Sequence, residues 1–145
     1  MKFRMEDNTR VFMTLAKGDF INQTFESFAE TKGVGCAWLN GIGALENPEI
    51  GYYSIKDKKY HRKQFTGEFE LTSLIGNITM KEGNPFAHTH ITFSDTDYQV
   101  YGGHLFDAKI TAAGEFLIQI GTEGITREMN HSIGLPLWCL DDSLE

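Results

Sequence analysis

The sequence predicts an α+β domain, a mostly antiparallel twisted β-sheet with one main amphipathic helix. Two observations carry this. Short apolar runs at residues 11–15, 34–39, 50–55, 67–78, 115–120 and 135–140 are separated by Gly, Pro, Asn and Asp, the punctuation expected of strands and turns. Only residues 19–33 space their apolar side chains as a helix does, and strands with one segregated helix give an α+β arrangement. A chain of 145 residues is read as one domain, 1–145, with residues about 1–8 and 141–145 expected to be frayed tails.

The elements follow in order. The run at 11–15 reads as the first strand. Asp19 is placed as the cap of a helix whose face is Phe20, Ile21, Thr24, Phe25, Phe28 and Ala29, with Lys32 in the last turn and Gly33 as the stop. The strand at 34–39 carries Trp38 and ends in Asn40-Gly41-Ile42-Gly43, where the glycines predict a tight turn or a close backbone approach. That pair lacks the spacing and context of a dinucleotide fingerprint. A strand at 50–55, a turn at 56–59 and an exposed strand at 60–65 come next, with His61 solvated. Residues 67–78 begin with alternation and turn apolar on both faces, as a strand does on entering a covered region. Residues 81–84 are a turn. Ala112-Ala113-Gly114 breaks the chain before the strand at 115–120, 121–128 is a loop with Arg127 and His131 exposed, and 135–140 is the last strand.

Composition narrows the function. Lys+Arg 13 against Asp+Glu 20 gives a net charge of -7, which disfavours direct nucleic-acid binding. A domain of this size buries roughly 68–70% of its unfolded surface and needs no metal merely to fold, so a metal here would be functional. Cys36 and Cys139 each neighbour a tryptophan in an apolar run and are expected to be reduced and buried. Without a signal-like segment or an apolar stretch of about 20 residues, the protein is expected to be cytoplasmic.

The chemistry concentrates at residues 85–105. His88 and His90 are two apart, so on a strand they share a face, and a returning strand after Ser94-Asp95-Thr96-Asp97 brings His104 beside them. Sharing that face requires an even-sum register. Pairing 88 with 104 and 90 with 102 meets this requirement and sets Ile91, Phe93, Tyr101 and Leu105 on the core side. Three neutral imidazoles with no fourth ligand nearby suit a metal with an open position. Zinc is favoured, with copper, nickel, cobalt and iron as alternatives. Gly102 is taken as leaving room beside His90, Asn40 and Gly41 as further cleft walls, and Glu70 as a candidate base or outer-shell acid aimed from a neighbouring strand.

The ordered set Gly41-Ile-Gly-Ala44, Tyr60-His61, Gly67-Glu-Phe-Glu-Leu-Thr-Ser-Leu-Ile-Gly-Asn77, Pro85-Phe-Ala-His-Thr-His90 and Gly102-Gly-His-Leu105 resembles the plants-and-prokaryotes-conserved (PPC, or PCC) domain. Its prokaryotic form is often labelled a DNA-binding protein with a PD1-like motif. The resemblance implies an α+β fold assembled as a homotrimer, with His88, His90 and His104 as the metal site. The plant proteins add a basic AT-hook, and this sequence has no such segment. Eleven Phe, five Tyr and two Trp give the trimer a physical motive, since one helix covers little of such a sheet. Three functions follow as expectations: a homotrimer whose metal site binds a small ligand or partner in a cleft, a metal-dependent hydrolase using the open position, and an interaction scaffold associated with DNA-binding proteins.

Overall fold

The computed structural model describes residues 1–140. In chain order the elements are β1 (Lys2–Glu6), β2 (Arg10–Ala16), α1 (Ile21–Lys32), β3 (Ala37–Ser54), β4 (Lys59–Gln64), β5 (Glu68–Lys81), β6 (Asn84–Ser94), β7 (Val100–Ile120), β8 (Thr126–Asn130) and β9 (Leu135–Cys139). All nine strands belong to one sheet. β7 pairs β3, β3 pairs β5, β5 pairs β6 and β6 pairs β7 again, so these four close into a ring. β1 and β2 extend it beyond β7, and β4 flanks β3. Among the strand pairings of the described residues, only the Met80↔Thr126 contact of β5 with β8 is parallel.

Alternation decides which side is core. In β2, Val11, Met13 and Leu15 are buried while Arg10, Phe12 and Thr14 face outward, the period of two that a half-covered strand requires. Leu39, Leu45, Leu74, Ile78, Ile91, Phe93, Leu105 and Ile118 join them inside. The stripe Ile21, Phe25, Phe28 and Ala29 of α1 packs into the same core, with Phe25 edge-on to Phe116 at 5.1 Å.

Several elements differ from expectation. Residues 2–6 are not a tail but a strand paired along its length with β2. The glycine-rich 40–45 stretch runs through as part of an 18-residue β3, with a bulge between Gly41 and Gly43. Residues 112–114 likewise stay within a 21-residue β7. Strands hydrogen-bonded on both sides override the local breaker signal of glycine. The cap of α1 also moves. Asp19 Oδ2 accepts from the Ala16 N–H at 2.9 Å and the N-terminal ammonium at 2.7 Å, and it makes no bond to the first turn. Asp107 of β7 does that work, accepting from the Asn22 N–H at 3.1 Å and the Gln23 N–H at 3.4 Å.

The cysteines are free, but Cys36 is only half-buried and Cys139 is exposed. Their tryptophans also face outward, Trp38 at 49% and Trp138 at 41% exposure, because these positions fall on the outer face of β3 and on the terminal strand β9. Residues 141–145, expected to fray, lie outside the described residues. Among the described residues, no helix is long and apolar enough to cross a membrane.

Candidate metal centre

The hairpin of β6 and β7 brings the histidines together in a register two residues from that expected. His90 lies opposite His104, Thr92 opposite Gly102 and Phe93 opposite Tyr101. The turn sets this. Asp95 Oδ1 accepts from the Asp97 and Gln99 N–H groups at 2.9 and 3.0 Å, an Asx arrangement that starts the ladder at Ser94↔Val100. Since the sum stays even, the face assignment survives, with Ile91, Phe93 and Leu105 in the core. His88, beyond the end of that ladder, pairs with Asn77 of β5.

The three rings form a nearly equal-sided triangle, with centroids 5.3 Å apart for His88–His90, 5.0 Å for His88–His104 and 5.5 Å for His90–His104. One nitrogen from each lies within 4.8 Å of the others. Burial, with the Arg127 guanidinium and His90 adding, pushes His88 down to about 4. Burial, then the other two histidines, Arg62 and Arg127, does the same to His104, also to about 4. Burial lowers His90 as well. Neutral imidazoles at pH 7 are the form that ligates a cation. His104 Nδ1 is moreover buried with no hydrogen-bond partner among the described residues. A buried nitrogen left unpaired costs about 1–3 kcal/mol, a cost that ligation of a cation through Nδ1 would remove. The donor set therefore fits a first-row divalent metal.

Residues absent from the sequence expectations build the support. Asn22 of α1 is buried; its Nδ2 donates to the Leu105 and Phe106 carbonyls at 3.1 and 3.2 Å, and its Oδ1 accepts from Thr89 Oγ1 at 2.7 Å. One amide thus clamps the strand between His88 and His90 to the strand carrying His104. Tyr60 of β4 stacks on His104 at 4.9 Å, and Phe106 meets the same ring edge-on at 5.0 Å. Arg127, expected in an exposed loop, is half-buried on β8. It donates to Thr79 Oγ1 at 2.7 Å, Asn77 Oδ1 at 2.8 Å and the Pro136 carbonyl at 3.0 Å, and its Nη2 lies 3.3 Å from His88 Nδ1. A lone arginine after a glycine-rich loop carries no signal of this. Beside the triangle opens a cleft of about 730 Å³, walled by Tyr60, Arg62, Phe86, Phe106, Arg127 and Leu137 among others.

The remaining candidates lie elsewhere. Glu70 is exposed on β5 between Ala44 and Ser94 and does not line the cleft. Asn40 and Gly41 border a separate depression with Phe12 and Leu117. A Cβ on Gly41 would run into the Phe116 ring, so this glycine serves strand packing. At Gly102 a Cβ would lie 2.9 Å from the Ile91 carbonyl oxygen, so the room expected beside His90 is taken by β6. His61 and His131 are exposed.

A family model described as the Plants and Prokaryotes Conserved (PCC) domain matches residues 4–122. The chain belongs to this family. Solved PCC-like structures cover it almost end to end. A Pyrococcus horikoshii plant- and prokaryote-conserved protein is 33% identical over 99% of this chain and 96% of its own, with a TM-score of 0.85. An Archaeoglobus fulgidus protein described as metal-containing is 35% identical over 97% and 100%, with a TM-score of 0.84. A Bacteroides thetaiotaomicron protein is 29% identical over 95% and 96%, with a TM-score of 0.90. No curated protein matches the chain. All three candidate ligands of this PCC domain fall inside the matched residues.

Proposed function

We propose that this PCC-domain protein binds a divalent first-row metal, zinc foremost, through His88, His90 and His104, and that the metal's open position receives a small ligand or partner from the adjoining cleft. The orphaned, buried His104 Nδ1 within a triangle of neutral imidazoles carries the reading. The metal-containing relative at 35% identity supports it. Three ligands rather than four leave a position for exchange. The outward apolar residues Phe12, Trp38, Ile42 and Ile75 favour a homotrimer in which copies of this chain cover that face.

Elemental analysis of protein purified without a metal-affinity tag tests the metal. About one ion per chain is expected, lost in His88→Ala and His104→Ala. Metal-free wild-type protein whose melting temperature does not respond to added zinc would overturn the reading.

A further inference from the structure

Arg127 is a half-buried cation without an anion. Its three hydrogen-bond acceptors, Thr79 Oγ1, the Pro136 carbonyl and Asn77 Oδ1, are all neutral. Among the described residues no carboxylate lies within 4.0 Å of it. Of the acids that line its cleft, Glu46 lies more than 4.0 Å from the guanidinium, and the other three are engaged elsewhere. Glu49 pairs with Arg62 at 2.7 Å, Asp107 accepts from the first turn of α1, and Glu26 Oε1 accepts from the Ala87 N–H at 3.0 Å. Taking a guanidinium out of water with no counter-charge is unfavourable, so the position calls for an anion supplied from outside.

The metal sharpens that demand. Nη2 lies 3.3 Å from His88 Nδ1. A neutral imidazole that ligates a cation through one nitrogen carries a proton on the other, so a metal-loaded His88 has no lone pair to offer. Arginine has five N–H donors, of which the neutral acceptors take three. Loading thus leaves one N–H on each terminal nitrogen free, a pair suited to the two oxygens of an oxyanion. Tyr60, over His104, lines the same cleft, and its hydroxyl has no hydrogen-bond partner among the described residues.

We propose that the cleft binds a small anion, a carboxylate or a phosphate, whose oxygens bridge the metal held by His88, His90 and His104 and the guanidinium of Arg127. This rests on the metal reading above. Arg127 is here a ligand-positioning residue, and the aromatic rings of Tyr60, Phe86 and Phe106 would flank the rest of the molecule.

The test uses the full chain loaded with cobalt, whose visible spectrum reports changes at the metal, titrated with acetate, inorganic phosphate or neutral acetamide. At least one anion is expected to shift the spectrum saturably and acetamide to leave it unchanged; whichever anion acts assigns the headgroup. Arg127→Gln is expected to weaken that anion about tenfold or more, the worth of a charged hydrogen bond. It should still take up cobalt, since removing a neighbouring cation does not repel another. Normal cobalt uptake with no response to either anion, or equal anion affinity in the variant, overturns the proposal and leaves the metal reading standing. Wild-type protein that takes up no cobalt overturns both. Should Arg127→Gln fail to fold, Arg127→Lys and the acetate-against-acetamide comparison in wild-type protein decide, with no preference for the anion counting against it.

Discussion

The depressed histidines make the metal-free protein acid-sensitive with a definite sign. His88 and His104 titrate near 4 when folded and 6.5 in their ordinary state, so between those values the unfolded chain binds more protons. Stability is therefore full above about pH 6.5 and falls as pH is lowered toward about 4. Thermal melts of metal-free protein are expected to lose melting temperature over that window, and the His88→Ala/His104→Ala double variant to lose less; equal slopes would contradict it. Asn22 is the other residue to probe. Asn22→Ala leaves the Thr89 hydroxyl and two carbonyls without their partner, a loss of about 1–3 kcal/mol in denaturant unfolding, and metal affinity should fall with it. The histidine triad was legible because His-x-His and a third histidine beyond a turn imply one face of a hairpin. Asn22 was hidden because a polar residue inside an apolar stripe reads as a solvent-facing position until strands are known to cross above it.

Elements were legible wherever alternation was local. β2, β4 and the extent of α1 follow directly from side-chain spacing, whereas β3 and β7 were cut at their glycines because the strands that pair with them are remote in sequence. The cap of α1 shows the same limit. Its acid lies on β7, 85 residues from the Asn22 amide that it accepts, while the sequence-adjacent Asp19 turns away to Ala16. Replacing Asp107 with alanine is expected to destabilise the fold by about 0.5–2 kcal/mol, as for a lost cap, and Asp19→Ala by less. Paired urea titrations check this, and the reverse order would restore Asp19 as the cap. The hairpin register has a similar cause: the parity was readable from side-chain type, but the two-residue offset comes from how Asp95 folds the turn.

For the whole molecule, the outward face of the ring is the feature least expected of an isolated domain. Ile75 lies opposite His90, and Trp38 lies opposite Asn77 on the next strand, each about half-exposed. Were copies of this chain to cover that face, a charge there would be strongly unfavourable. Trp38→Asp and Ile75→Asp are each expected to shift sedimentation from trimer toward monomer, and an unchanged sedimentation coefficient would sink the trimer. The aromatic load hinted at this surface, but which rings faced out depended on the strand register. Last comes the β8–β9 hairpin. It joins the rest of the sheet through one parallel bridge, the Met80 and Ile125 backbone bonds, the grip of Arg127, and the Tyr53 hydroxyl and Lys58 ammonium donating to the Ile133 and His131 carbonyls of its turn, and it lies beyond the family-matched residues 4–122. The three histidines thus lie inside the family-matched residues and Arg127 outside them. On the anion proposal above, grafting 126–140 onto a relative that lacks this arginine is expected to transplant ligand preference without touching the histidines.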